Sequence, residues 1–299
     1  MAPDAHPAAV TLAAPAKLNL FLDVLGKRPD GYHDLATCMV PLSLADTLAF
    51  APADTLSLTC DDPRLSTGPE NLVMKAAELL RTRTGCPRGA AITLTKRIPM
   101  QAGLGGGSSD AATTLLGLNE LWDLRLGHAD LLELAGQLGS DVPFFLARSA
   151  AWCTGRGEVV VPFDLPSELN FVLLCPGVGL STAAVFRHCQ PSDTPMSTEP
   201  LRRALAAGDA AAVGRSLFNR LQAPAEALCP AVARLRQHCE QLASRGWWWG
   251  HGMTGSGSTY FVLARDAGSA QRSLPILAAT PMEGAPVSVY LARSRPPGI

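Results

Sequence analysis

The chain has 299 residues, 47% of them apolar and 17% charged, with a formal net charge of −1. That composition belongs to a globular protein rather than a disordered one, and a chain this long buries roughly three-quarters of its unfolded surface in about two domains. Near-neutral charge without a Lys/Arg run argues against a nucleic-acid binder, and no apolar stretch approaches the ~18 residues of a membrane helix. Eight cysteines, at 38, 60, 86, 153, 175, 189, 229 and 239, form no CxxC pair. Zinc sites and disulfide scaffolds need closer spacing, so reduced thiols and no protein metal site are expected. Before Lys17 there is no Lys or Arg and no continuous apolar segment to make a secretory signal. The expectation is a cytoplasmic protein without membrane or nucleic-acid partners, acting on a small molecule as a monomer or weak homodimer.

Residues 1–9 are rich in Ala and Pro and are expected to fray. Val10–Gly26 is predicted as a strand, with Leu18, Leu20, Leu22 and Val24 on one face and Lys17, Asn19 and Asp23 on the other. Pro29-Asp30-Gly31 is turn chemistry that delivers Tyr32 and His33 beyond a bend. Helical spacing predicts a helix over Glu70–Thr84, closed by Gly85. A strand at Ala91–Thr95 leads into a glycine-rich loop and a second helix, Asp110–Trp122. A third, Asp130–Leu138, stops at Gly139 and opens into the loop Ser140-Asp141-Val142-Pro143. The pattern loosens at Pro162–Leu169, which divides the chain into expected domains 1–165 and 166–299. The second half carries a strand at Phe171–Leu174 and helices near Thr198–Leu221 and Pro230–Ser244. A strand at Ser258–Ala264, a helix near Gly268–Ala279 and a strand at Val287–Ala292 complete it. Strands and helices mixed in this way predict an α+β chain of two packed units.

The strongest local signal is Pro99-Met100-Gln101-Ala102-Gly103-Leu104-Gly105-Gly106-Gly107-Ser108-Ser109 before the second helix. Four glycines in five residues are entropically costly, and they make sense where backbone must approach a ligand closely. Ser108 or Ser109 is placed to cap the helix, whose free N–H groups and positive dipole end attract phosphate. The loop is neither a Walker A motif, since no Lys follows the glycines, nor GxGxxG, since position 108 is Ser. A flexible hinge before a helix is the alternative reading.

The run from Pro99 to Ala112 resembles the signature of the GHMP kinases (galactose, homoserine, mevalonate and phosphomevalonate kinases). Three other stretches agree with it in order: Ala14-Pro15-Ala16-Lys17-Leu18-Asn19-Leu20, Gly139-Ser140-Asp141-Val142-Pro143 and Gly252-Met253-Thr254-Gly255-Ser256-Gly257-Ser258. The resemblance spans nearly the whole chain. It implies a two-domain GHMP kinase-like fold with the active site in the cleft between the domains, ATP as co-substrate and Mg²⁺ accompanying it.

Carried onto this sequence, the resemblance makes Pro99 to Ser109 the ATP-binding segment and Lys17 and Asp141 the catalytic pair. Without it, Asp141 reads more readily as a turn or capping residue, and Lys17 could be a solvated strand residue. A free carboxylate has a pKa of about 3.9, far below an alcohol, so Asp141 is expected to take the hydroxyl proton late in the transfer. The resemblance also implies that Tyr32 stacks on a cytosine face, His33 meets its hydrogen-bonding edge and Phe186 covers the opposite face. Asn19, two residues along from Lys17, shares its face and either donates to the substrate diol or satisfies a strand end. Two readings stay open for Thr254–Ser258: closure over the phosphates, or a tight strand connection. Trp247-Trp248-Trp249 is bulkier than the family pattern, and either alters packing behind the loop or forms an exposed patch. A serine hydrolase using Ser108 or Ser109 is disfavoured, because the loop lacks the G-x-S-x-G elbow.

Overall fold

The structure, a computed structural model, describes residues 9–191, 194–282 and 286–294. Residues 1–8, within the start expected to fray, lie outside the described residues. Strand β1 (Val10–Lys27) and strand β2 (His33–Ala53) form one long antiparallel hairpin. Its bend is closed by Arg28 N–H donating to Tyr32 O and by Tyr32 N–H donating to Asp30 Oδ1 at 3.1 Å, an Asx turn of the kind Pro-Asp-Gly favours.

Strand β3 (Leu56–Cys60), helix α1 (Leu72–Thr84) and strand β4 (Gly89–Thr95) follow. Asn71 caps α1 by accepting from Val73 N–H, and Gly85 ends it in the left-handed conformation. Then come α2 (Gly106–Leu121), α3 (His128–Leu138), α4 (Val142–Leu146), β5 (Ala150–Gly155) and β6 (Val159–Phe163). The second half adds β7 (Asn170–Cys175), α5 (Thr182–His188), α6 (Glu199–Ala206), α7 (Ala210–Arg215), β8 (Phe218–Asn219), α8 (Gln222–Leu228) and α9 (Pro230–Leu242). It ends with β9 (Trp248–Met253), β10 (Tyr260–Ala264), α10 (Ala267–Ala278) and β11 (Ser288–Arg293).

The first sheet runs β3-β4-β2-β1-β8, with β5 also on β2 and β6 beyond it; the second runs β11-β7-β10-β9 and is antiparallel throughout. Helices α1 to α4 cover one face of the first sheet, around Phe50, Trp122 and Phe144. On the opposite side Leu18, Leu20 and Phe21 meet Phe171, Leu173 and Phe261 of the second sheet. A third cluster joins Val172, Leu174 and Val262 to Val185, Leu235 and Leu277 from α5, α9 and α10. The loop 164–169 separates the last strand of the first sheet's meander from the first strand of the second. Strand β8 nonetheless returns to pair in parallel with β1.

Three sequence expectations change. Residues 16–24 of β1 are buried on both faces rather than half-solvated, because the second sheet covers the Leu18/Leu20 side while the glycine loop, the 254–258 turn and Arg220 cover Lys17, Asn19 and Asp23. Leu20 also has no partner on β2, so the pleat shifts between Asn19 and Phe21. The single helix expected near Thr198–Leu221 is α6, α7 and β8. Gly208 takes φ 66 and Asp209 caps α7 through Ala212 N–H, so the chain stops one helix and starts another. The loop after Asp141 is helix α4, with Pro143 in its first turn.

The Trp run is no exposed patch. Trp248 is buried, Trp249 lies under Arg265 with the guanidinium 4.1 Å from its ring centre, and Trp247 lies under Arg245. Gly214 of α7 sits directly against the Trp249 backbone. Among the described residues no helix is long and apolar enough to cross a membrane.

Candidate active site

A cavity of about 900 Å³ opens in the cleft between the two halves, lined by residues of both. From the first half come Lys17, Asn19, Thr37, Tyr32, His33, Gly103, Gly105, Ser108 and Asp141. From the second come Thr182, Phe186, Arg187, Gly255 and Ser256. Lys17, Asp141, Asn19, Tyr32, His33 and Phe186, singled out in the sequence, therefore converge on one space, joined there by Gly103, Gly105 and Ser108 of the loop.

The glycine loop ends in α2 four residues earlier than periodicity predicts. Gly105, not Ser108 or Ser109, is the N-cap, and no side chain caps the helix. Ser109 N–H is the first to donate back along the helix, to Gly105 O at 2.9 Å. The N–H groups of Gly106, Gly107 and Ser108 are thus left without helical acceptors at the positive end of a 16-residue dipole. An unsatisfied cluster of donors beside a cavity is what an oligophosphate requires. Of the loop residues, Ala102 and Leu104 are buried in the core between the sheets, and Ser109 is buried with no hydrogen-bond partner for Oγ among the described residues. Gly106 and Pro99 to Met100 are half-buried, Gly107 is exposed, and Gln101 takes φ 53 with its side chain against Gly179.

Behind the loop lies a buried charge cluster that the sequence did not reveal. Lys96 Nζ donates to Asp46 and, at 2.9 Å, to Asp110 Oδ2. Asp46 Oδ1 also accepts the N–H groups of Arg97 and Ile98, pinning the segment that enters the loop. Burial works against the Lys96 charge, but the two carboxylates outweigh it and raise its pKa. Burial likewise holds Asp110 well above the usual carboxylate range.

Lys17 is 3% exposed. Its ammonium donates to Asn19 Oδ1 at 2.6 Å, and Asn19 Oδ1 also accepts from Thr254 Oγ1 at 3.1 Å. Asn19 Nδ2 donates to Thr37 Oγ1 at 2.8 Å. The amide oxygen of Asn19 is therefore committed to orienting Lys17, and one amide hydrogen remains for the cavity that Asn19 lines. Burial lowers the Lys17 pKa, and the negative charge of Asp141 opposes that fall. Asp141 acts through space: the direct partner of the Lys17 ammonium is Asn19, not the carboxylate expected beside it. Asp141 occupies the N-cap position of α4, yet its side chain caps nothing. Its carboxylate is free to face the cavity, so the capping reading that the sequence left open does not hold. Beneath this pair lies Cys153, whose thiol burial pushes up to about 12.

The aromatic residues gather on another part of the wall. His33 and Phe186 stack on each other, centroids 5.2 Å apart and 28° between planes. Tyr32 is 52% exposed, with the Arg156 guanidinium 4.7 Å from its ring centre. Burial, then Lys27, keeps His33 below its ordinary pKa, so its imidazole is neutral at neutral pH. An aromatic wall with neutral donors and acceptors suits a planar heterocycle.

Sequence reasoning missed Arg156, Arg187 and Lys27, which place three cations on the cavity wall. Arg156 had a readable signal: it stands between Gly155 and Gly157, both at positive φ, in the turn linking β5 and β6. Thr37 and Thr182 had none, because single hydroxyl residues carry no pattern, whereas Ser256 lay in the Thr254–Ser258 turn already picked out. The Thr254–Ser258 turn joins the site: Thr259 N–H donates to Ala102 O, and Gly255 packs on both Gly103 and Lys17.

The GHMP kinases N terminal domain matches residues 71–149, and the GHMP kinases C terminal domain matches residues 201–279. A 4-diphosphocytidyl-2-C-methyl-D-erythritol kinase from Pelotomaculum thermopropionicum is 43% identical over 267 residues, covering 88% of this chain and 92% of its own. One from Synechococcus sp. is 41% identical, covering 97% and 98%. A crystal structure of 4-(cytidine 5'-diphospho)-2C-methyl-D-erythritol kinase matches with a TM-score of 0.79 at 37% identity, over 95% of this chain and 98% of that one. Homoserine kinase from Cytophaga hutchinsonii, 18% identical with a TM-score of 0.75 over 99% and 98%, shares the fold.

Proposed function

The chain belongs to the GHMP kinases, and from that membership we infer that it phosphorylates 4-diphosphocytidyl-2-C-methyl-D-erythritol on its 2-hydroxyl, with ATP as co-substrate. The product is an intermediate on the way to isoprenoid precursors. The observation that carries the reading is the convergence of Lys17, Asp141, the α2 N-terminus and the Tyr32/His33/Phe186 wall on one cavity.

The geometry supports the following roles. The Gly106–Ser108 N–H groups receive the phosphates of ATP. Lys17, held by Asn19, steadies the charge that develops on the phosphoryl oxygens. As the substrate oxygen bonds to the γ-phosphorus and the bond to ADP breaks, the hydroxyl proton passes to Asp141, late in the transfer. Tyr32, His33 and Phe186 hold the cytosine, and Lys27, Arg156 and Arg187 offset the diphosphate that links it to the polyol. Mg²⁺ enters with ATP, whose charge it balances; among the described residues no group of three or more His, Cys, Asp or Glu gathers to hold a metal. We read the chain as two domains, 1–165 and 166–299, in a cytoplasmic enzyme that is a monomer or weak homodimer.

The test is ATP consumption with the cytidyl substrate beside homoserine and mevalonate, and a marked preference for the cytidyl compound is expected. Equal turnover of the three would refute the assigned substrate. A second measurement isolates the aromatic wall. Loss of one stacked ring costs about 1–3 kcal/mol, so Phe186→Ala should raise the KM of the cytidyl substrate about 5- to 150-fold and leave the KM of ATP unchanged. An unchanged cytidyl KM would remove Phe186 from the site.

A further inference from the structure

Lys17 is oriented by Asn19, and Asn19 by Thr254, a residue 235 positions away in the second half. The contact is reciprocal: Asn19 N–H donates to Thr254 Oγ1 at 3.0 Å, and Thr254 Oγ1 donates to Asn19 Oδ1. A hydroxyl can orient another side chain only if its own backbone is fixed. The turn 254–258 is short, rich in Gly and Ser, and poorly restrained by its own composition. Something outside it must hold it.

That restraint comes from Asn219. Its Nδ2 donates both hydrogens, to Met253 O at 2.8 Å and to Gly255 O at 2.9 Å, the two carbonyls that flank Thr254. Its Oδ1 accepts Leu221 N–H at 2.9 Å, which fixes the amide's orientation. Asn219 is itself anchored, because β8 pairs in parallel with β1 at Leu22 and Arg220 N–H donates to Leu22 O. Gln222 supports the same segment by accepting Met253 N–H at 3.2 Å. At Gly255 the turn packs so closely that a Cβ would lie 3.1 Å from Lys17 Nζ. Any drift of the turn is therefore felt by the ammonium directly as well as through Thr254 and Asn19.

We propose that Asn219 is a positioning residue for phosphoryl transfer: by clamping the carbonyls on either side of Thr254 it holds the Thr254–Asn19–Lys17 chain in register across the two halves. It lies outside the set that lines the described cavity, so it acts through this chain and not on substrate. The proposal rests on Lys17 serving the kinase reaction.

Asn219→Asp tests it with little change in shape. The carboxylate has no hydrogen to give and turns an oxygen toward two carbonyls. Misplacement of a reacting group by about 1 Å can cost about 10²-fold in rate, so kcat should fall about 10- to 100-fold, with both KM values within about threefold. Water admitted to Lys17 relieves the burial that lowers its pKa, so the alkaline limb of kcat should move to higher pH. If kcat per folded molecule and that limb both match the wild type, or if only KM changes, the proposal is overturned, whatever happens to the melting temperature. Should the Asp variant fail to fold, Asn219→Ala, which removes the clamp without adding charge, decides on the same readouts. Wild-type turnover of the cytidyl substrate tests the kinase reading separately, since only the variant-to-wild-type ratio bears on Asn219.

Discussion

Asp141→Asn is expected to fold normally and to lose about 10²- to 10⁴-fold in kcat, the usual worth of a general base. The change is isosteric, and the carboxylate caps no helix. Stability should therefore stay within about 0.5 kcal/mol of the parent. KM for ATP should hold or fall slightly, because a negative charge near the triphosphate has been removed. The pH profile gives a second, signed readout. In the parent the Asp141 charge raises the Lys17 pKa against the effect of burial. Without it, Lys17 loses its proton at lower pH, and whatever activity remains should decline earlier on the alkaline side. Steady-state kcat across pH, with a melting curve for the variant, measures both effects. Undiminished transfer would remove Asp141 from the proton path.

Gly103→Ala is expected to be the most damaging single methyl in the glycine loop. Gly103 takes φ +75, where an L-residue costs roughly 1–2 kcal/mol. Its Cβ would also lie 2.6 Å from Thr254 O and 2.8 Å from Gly257 O. Those atoms belong to backbone, so they cannot swing aside as a side chain would. The loop and the 254–258 turn must separate, which moves the phosphate donors and Lys17 together. A loss of about 2–4 kcal/mol in stability and a rise of at least about tenfold in the KM of ATP are expected. Gly107→Ala is the control: its Cβ meets only Leu72 Cδ1, at an ordinary 3.5 Å. Helix propensity favours that change by about 0.5–1 kcal/mol, so its melting temperature should hold or rise. Equal destabilisation by the two substitutions would contradict this account of the loop.

Much of this was legible in the sequence because it depends on short-range chemistry. Pro29-Asp30-Gly31 can do little but turn, and Gly85 closes α1. The glycines from 103 to 107 supply positive φ and close backbone approach where a helix begins, which is the ground for proposing an anion site there. Lys17, Asp141, Tyr32 and His33 were found because each sits in a short ordered motif.

Tertiary structure decided what those residues touch. Alternation in β1 left a polar face, but the glycine loop, the 254–258 turn and Arg220 cover it, which turns Lys17, Asn19 and Asp23 into buried groups that need partners. The partner of Lys17 is Asn19 rather than Asp141, and the turn beside it is clamped from Asn219. Sequence periodicity reports which face of an element is apolar, not which distant segment will cover it. Contacts such as Asn19 with Thr254, 235 residues apart, exist only once two sheets have packed. The sequence by itself determined the glycine loop that opens α2 and the family; packing between the halves determined how the buried ammonium is aimed.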